Sequence, residues 1–345
     1  MAKDVRVLEI FFSEASATFS AGGEVSGGVV IVTNSDIKAK AIKLNIHGLA
    51  RCHWDEKRAY TKGSASTLSH KDAEIYMDET IILCRPDGHL PSGKHTHRFK
   101  VRLPPFAPAS FDGQFGRVQY WAKVVIERPF GKDNIEAVKA FNVKGILDLN
   151  ADPDAKKAAE NAGETTPGLF CFKSGRISAS LSVDRRSTAP GLSVPFTAII
   201  KNESGARVKS ARIILSQQVI YKADKQTRRH STPLKGVSRN KEIGAGTESW
   251  VGEITDIPPV VPSHLGAGCK FIDVRYILTL IVVPKGPGKE LEVPLEIVIG
   301  TVPVRRPSSV GPQLTVRGAI ARASAGHLDV NDLREAVFRA DKPKN

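Results

Sequence analysis

No stretch of this 345-residue chain approaches 18 uninterrupted apolar residues, so no bilayer-spanning helix is expected. Cysteine is scarce. Cys52, Cys84, Cys171 and Cys269 lie far apart with no Cys-x-x-Cys spacing. That pattern fits reduced, mostly buried thiols of the cytosol better than a disulfide framework. The start, Met1-Ala-Lys-Asp-Val-Arg-Val, carries charges where a signal peptide needs its apolar stretch, so secretion is not expected. The strained Gly-x-Ser-x-Gly turn of serine hydrolases is missing, and no pair of acids stands out on neighbouring strands. No enzyme is expected. Aromatic residues thin out where charge is densest. Between Ala206 and Glu242 the only one is Tyr221, so the stacked rings of a nucleic-acid surface are lacking.

Two short patterns come near a known chemistry and stop short. Gly88-His-Leu-Pro-Ser-Gly93-Lys94-His95 almost spells a phosphate loop. Its last position needs a hydroxyl for magnesium and a helix behind it; here stand His95 and a strand ended by Pro104. Cys84, His89, His95 and His97 have ligand types that suit zinc, but Pro86 and Pro91 interrupt the segment and no paired cysteines support it. A metalloprotein or enzyme built on these four is the least favoured alternative. No cofactor and no metal is expected.

What the chain does have is strand. Ile42-Lys-Leu-Asn-Ile-His47 and Arg98-Phe-Lys-Val-Arg-Leu103 alternate strictly, and Gly27–Thr33 is a β-branched run. In Val118–Glu127, Val118, Tyr120, Ala122, Val124 and Ile126 share one face; Trp121 lies on the polar-lined other. Phe111 sits in a glycine-bearing loop just before, where an exposed ring would mark a contact. Phe111 and Trp121 are therefore candidate protein contacts.

The two halves rhyme. "FSAGGEVSGGVVIVTNS" and "STAPGLSVPFTAIIKNES" both give a turn glycine, a strand, then Asn with Ser nearby. "QYWAKVVIERP" and "RYILTLIVVPKGP" both set Tyr on a long strand ended by proline. A duplicated all-β module, two sandwiches in tandem, explains the pattern. The domains expected are residues 1–147 and 169–304. Between them 148–168, polar and Ala-rich, reads as a linker with one helical turn. Residues 305–345 read as a mostly disordered tail with one short amphipathic helix over 331–340.

Positive charge dominates, at 50 Lys and Arg against 36 Asp and Glu, which implies an acidic partner. From Lys201 to Glu242 eleven basic residues face three acidic ones. Lys209, Lys222, Lys225, Arg228, Arg229, Lys235, Arg239 and Lys241 are the candidate contacts to an anionic partner or membrane. The competing reading is a solvated edge hairpin guarded by lysines.

Several blocks resemble the arrestins, specifically the α-arrestins or arrestin domain-containing proteins. They are "FSAGGEVSGGVVI", "LPSGKHTHRFKVRLPPFAPASFDGQFGRVQYWAKVVIERP", "FCFKSGRISASLSVDRRSTAPG", "GTESWVGEITDIPPVVPSHLGAGCKFIDVRYILTLIV" and "PLEIVIGTVPV". In order, they cover about residues 5 to 304. The resemblance implies two immunoglobulin-like arrestin sandwiches. It also implies a non-catalytic adaptor for membrane-protein cytoplasmic tails, in endocytic or endosomal trafficking, linked to ubiquitination. The location implied is cytoplasmic, peripheral at the plasma membrane or endosomes. A scaffold subunit of a retrieval or sorting complex is the alternative. Some family features are not carried over. The Pro-Pro pairs at Pro104 and Pro258 lack the tyrosine of the ligase-recruiting Pro-Pro-x-Tyr motif, so ubiquitin-ligase contact is indirect or absent. Phe11 and Phe12 stand where receptor-type arrestins carry a lysine pair. In "GTESW", Glu248 stands where the thioredoxin-interacting branch has cysteine.

Overall fold

The computed structural model describes residues 4–59, 65–167, 175–266, 268–286 and 289–305. Residues up to Val304 form one compact unit. The expected tail and its helix over 331–340 lie outside the described residues, as does Cys171. The first part of the chain contributes β1 (Val5–Phe12), β2 (Thr18–Ser20), β3 (Glu24–Thr33), β4 (Ile37–Lys38), β5 (Ala41–Ala59) and β6 (Ala65–Cys84). It continues with β7 (His89–Leu90), β8 (Gly93–Arg102), β9 (Phe111–Gly113), β10 (Gly116–Glu127) and β11 (Ile135–Lys144). The second part contributes β12 (Ala159–Thr165), β13 (Ile177–Val183), β14 (Ser187–Thr188), β15 (Val194–Asn202) and β16 (Val208–Ala223). Then follow β17 (Gln226–Arg239), β18 (Gly246–Ile254), β19 (Ile272–Pro284) and β20 (Leu291–Ile299). Among the described residues the only helical turns are short 3-10 segments at Pro153–Lys156 and Ser263–Leu265. The tandem all-β architecture expected from the strand patterns is the one observed.

Alternation does the folding work. In β10 the even-numbered apolar side chains from Val118 to Ile126 are buried and their neighbours are half-exposed or exposed. The first sandwich sets a three-stranded sheet, β1-β3-β8, against a six-stranded one, β2-β11-β10-β5-β6, with β9 beside β10. Four phenylalanines close its core. Phe12 meets Phe19, Phe99 and Phe141 edge-on at 5.7, 6.4 and 5.5 Å. Phe11, its neighbour, points the other way and is exposed. Phe12 is thus a core ring and Phe11 an outward one.

The second sandwich sets β12-β13-β15-β18 against β14-β20-β19-β16-β17. The rhyme between the halves has a structural counterpart. Tyr120 in β10 and Tyr276 in β19 both occupy strands with neighbours on either side. Each is buried, and each hydroxyl donates to the carbonyl of a preceding loop, Pro108 at 2.8 Å and Val261. A buried phenol needs such an acceptor, and both modules supply it the same way.

Two local expectations change. The stretch expected as a linker, residues 148–168, does hold a helical turn, capped by the Asp152 carboxylate on Asp154 N–H at 2.9 Å. It also holds a full strand: β12 pairs with β13 from Ala159↔Val183 to Thr165↔Ile177. β12 is an edge strand with mostly solvated side chains, so it needs no apolar alternation, and its composition hid it. The loop from Pro108 to Gly116 likewise contains a short strand, β9, folded back on β10 as a tight hairpin around Gln114 and Phe115.

Candidate functional site

The basic segment folds into the β16–β17 hairpin, at the edge of the five-stranded sheet. Strand alternation then divides its charge between two faces. Tyr221↔Arg228, Leu215↔Lys235 and Ala211↔Arg239 put those three cations on the face shared with the core. Lys222↔Thr227 and Ile220↔Arg229 put Lys222 and Arg229 on the outer face, as diagonal neighbours.

The inward cations are spent. The Arg228 guanidinium lies 4.3 Å from the centre of the Phe115 ring. Lys235 donates to the Thr255 and Asp256 carbonyls, both at 2.8 Å. Arg239 and Lys241 converge on Glu248, whose carboxyl is lowered chiefly by the Lys241 hydrogen bond. Among the described residues no ion-pair partner faces Lys209, Lys222, Lys225 or Arg229. Lys209 stands at the far end of β16, about 40 Å from the turn at ~3.3 Å per residue. The eight candidates are therefore not one patch. Lys222, Lys225 and Arg229 cluster at the turn, and the sandwich fold brings Lys71 beside them, since Lys71 N–H bonds the Asp224 carboxylate at 3.1 Å. Lys71 was invisible in the sequence reading, because it comes from β6 in the other half of the chain. The edge itself is guarded: Pro233 and a bulge at Leu234 interrupt β17 halfway.

The same hairpin joins the two sandwiches. His70, buried in β6, lies between Glu56 at 3.2 Å and Asp224 at 3.8 Å. The Cys52 thiol donates to the Phe271 carbonyl at 3.3 Å. Burial first, and the nearby Cys269 second, push the Cys52 thiol up to about 12, so it is inert as a nucleophile. Trp54, Phe115 and Tyr221 form an edge-on column across the join, at 6.4 and 5.6 Å. A second joint is the turn at Ser263–Leu265, whose Leu265 carbonyl accepts from Ala109 N–H at 2.9 Å. A Cβ on Gly145 would sit 2.4 Å from that oxygen, so only glycine permits the approach.

His264 and Asp273 hold that turn at 2.6 Å, with Arg275 on the other Asp273 oxygen at 2.8 Å. Burial works against the Asp273 charge, but the hydrogen bonds from His264 and Arg275 outweigh it and bring the carboxyl down to about 2. The Asp273 hydrogen bond raises His264, against burial.

Trp121 lies half-exposed on the outer face of the six-stranded sheet, 4.5 Å from the His47 ring, which in turn meets Asp78 at 3.3 Å. Phe111 is half-buried against the core rather than presented on a free loop. The zinc alternative fails on geometry. Cys84 ends β6, His89 is in β7, and His95 and His97 are in β8 of the opposite sheet. His95 Nε2 is engaged with the Pro91 carbonyl at 2.8 Å. Among the described residues no three His, Cys, Asp or Glu side chains are close enough to share a metal ion.

Two tandem sandwiches joined by a hairpin and a tight turn, with chemistry spread over surfaces, define a binding scaffold of the arrestin fold. Residues 8–150 match the arrestin (or S-antigen) N-terminal domain, and residues 173–304 match its C-terminal domain. The chain is 31% identical over 319 residues to arrestin domain-containing protein 17 of Caenorhabditis elegans, covering 86% of this chain and 70% of that one. Arrestin domain-containing protein 4 of Mus musculus is 30% identical over 321 residues, 89% of this chain and 75% of its own. Thioredoxin-interacting protein of Homo sapiens is 26% identical over 308 residues, 87% and 76%. The chain belongs to the arrestin family, as one of its α-arrestin members. The family is one of adaptors and scaffolds that bind partner proteins. Among the described residues no helix is long and apolar enough to cross a membrane.

Proposed function

We propose that this chain is a non-catalytic adaptor that docks cytoplasmic tails of membrane proteins for endocytic or endosomal sorting, peripheral to the membrane that carries them. The observation that carries the reading is the cluster of unpaired cations at the β16–β17 turn, Lys222, Lys225 and Arg229, together with Lys71. Near an anionic bilayer each contributes on the order of 1 kcal/mol, so three or four together reach ~3–4 kcal/mol. That is only millimolar attraction, which biases location and leaves selection to the tail. An extended tail would add to β17 over Gln226–Thr232, the part of the edge before the Pro233 interruption.

The test is sedimentation with phosphatidylserine-rich vesicles. Lys222→Glu with Arg229→Glu is expected to lose roughly 2 kcal/mol at low salt, on the order of thirtyfold in binding, and to flatten the salt dependence. Both residues are exposed and unpaired, so folding is left intact. Equal binding by variant and parent would sink the electrostatic part. Crosslinked affinity purification separates cargo from complex: stable stoichiometric partners would favour a scaffold subunit instead.

A further inference from the structure

The cation cluster at the β16–β17 turn surrounds one hydroxyl. Thr227 is the second residue of β17, exposed, and directly opposite Lys222 across the hairpin. Directly opposed residues of a ladder hold their Cβ atoms about 4.5–5.5 Å apart. Arg229, two residues on, projects from the same outer face, and Lys225 stands in the turn two residues before. All three cations are exposed and lack an ion-pair partner among the described residues. The Thr227 hydroxyl likewise makes no hydrogen bond to any described residue.

Local geometry leaves this hydroxyl open to an enzyme. Only the Ala223↔Gln226 pair lies between Thr227 and the Asp224-Lys225 turn. Both turn residues are left-handed without being glycine, with φ of 50° and 63°, so the turn is held at some cost. β17 is an edge strand, paired on one side alone, and Pro233 with the bulge beside it cuts its ladder. The tip can therefore fray while the rest of the sheet stays closed. The sequence Lys222-Ala-Asp-Lys225-Gln-Thr227-Arg228-Arg229 sets basic residues on both sides of the hydroxyl. That charge suits a protein kinase whose substrate groove is acidic. Ser231 offers a second exposed hydroxyl on the same face, but Arg228, one of the two arginines before it, is held on the Phe115 ring. Ser231 also lies deeper in the ladder, close to the Pro233 interruption.

We propose that Thr227 is a phosphorylation site for a basic-directed protein kinase, and that its phosphate switches off the attraction of this face to anionic membrane. The inference rests on the membrane reading above and adds its control. In the transfer, Thr227 Oγ1 attacks the terminal phosphorus of a nucleoside triphosphate. The new O–P bond replaces the bond to the bridging oxygen, the nucleoside diphosphate leaves, and the hydroxyl proton passes to a carboxylate of the kinase. The product carries about two negative charges and three acceptor oxygens. Lys222 across the hairpin and Arg229 on the same face are placed to donate to those oxygens. Of the three positive charges at the turn, about one is then left for a bilayer.

The test treats the full chain with magnesium, adenosine triphosphate and the catalytic fragment of protein kinase C, which prefers basic surroundings. Peptide mapping by mass spectrometry should find stoichiometric phosphate on Thr227, none at that position in Thr227→Val, and undiminished uptake in Ser231→Ala. Sedimentation with phosphatidylserine-rich vesicles should then weaken on the order of thirtyfold at low salt, and phosphatase should restore it. Vesicle binding by Thr227→Val should not respond to the kinase. Circular dichroism of the parent and the phosphorylated chain should coincide, which separates lost attraction from lost fold. No phosphate on Thr227, phosphate carried mainly by Ser231, or vesicle binding that phosphorylation leaves unchanged would overturn the proposal. The double charge reversal, Lys222→Glu with Arg229→Glu, tells two failures apart. If it loses vesicle binding and phosphorylation does not, the switch falls and the membrane reading stands. If the parent itself does not bind vesicles, both fall.

Discussion

Phe141→Ala is expected to destabilise the first sandwich by about 3–5 kcal/mol, the range for removing a buried ring from a closed core. Phe141 is almost fully buried and touches three aromatic rings from different strands: Phe12 of β1 at 5.5 Å, Phe19 of β2 at 5.8 Å and Tyr120 of β10 at 5.8 Å. The hole would open between the two sheets, where neighbours on ordered strands cannot collapse into it. Phe130→Ala is the control. That ring is fully exposed on the β10–β11 turn, so its loss should stay within about 0.5 kcal/mol. Urea unfolding followed by tryptophan fluorescence reads both, since Trp54 and Trp121 report the first sandwich. Similar losses for the two variants would show that the aromatic quartet is not the core.

Asp273→Asn is expected to cost about 2 kcal/mol near pH 5.5, from a carboxyl held down at about 2 against an ordinary 3.8. The two partners titrate with opposite sign. Asp273, lowered by folding, contributes above about pH 3.8, and that contribution fades as pH falls through about 2. His264, raised by folding, contributes below its ordinary 6.5, and that contribution fades as pH rises through its folded value. Arg275 works against the His264 charge and Glu296 supports it, both from neighbouring strands. The pair is therefore strongest between about pH 4 and 6.5. Urea midpoints at pH 5.5 and 8.5 check this: the gap between parent and variant should shrink at the higher pH. A gap that is small and pH-independent would remove the pair from any structural role. The consequence is functional as well as structural. The turn that His264 and Asp273 hold carries the Leu265 carbonyl to Ala109, so weakening it loosens the platform on which both modules act together.

Much of this was legible along the chain, and the reasons are local. Period-two alternation marks β5, β8, β10 and β19 because each buries one face and wets the other. Tyr120 and Tyr276 could be paired from sequence because each stands on a long strand ended by proline. β12 escaped, since an edge strand with polar residues on both faces leaves no apolar signature. The basic segment was legible as charge but not as a site. Its eight cations follow one another in the sequence, and only the Leu234 bulge and the pairings across β16–β17 decide which face each takes. Four are consumed: Arg228 by Phe115, Lys235 by backbone carbonyls, and Arg239 and Lys241 by Glu248, each partner lying seven or more residues away. Lys71 and His70 carried no signal at all.

The amino-acid sequence by itself determined that the chain forms strands, that these fall into two similar modules, and that its positive charge concentrates in one segment of the second. Those properties rest on neighbours within a few residues and on composition. Which cations remain free and how His264 finds Asp273 were decided only by tertiary structure. Each depends on bringing together side chains from different strands or from opposite halves of the chain, and nothing in local periodicity encodes that distance.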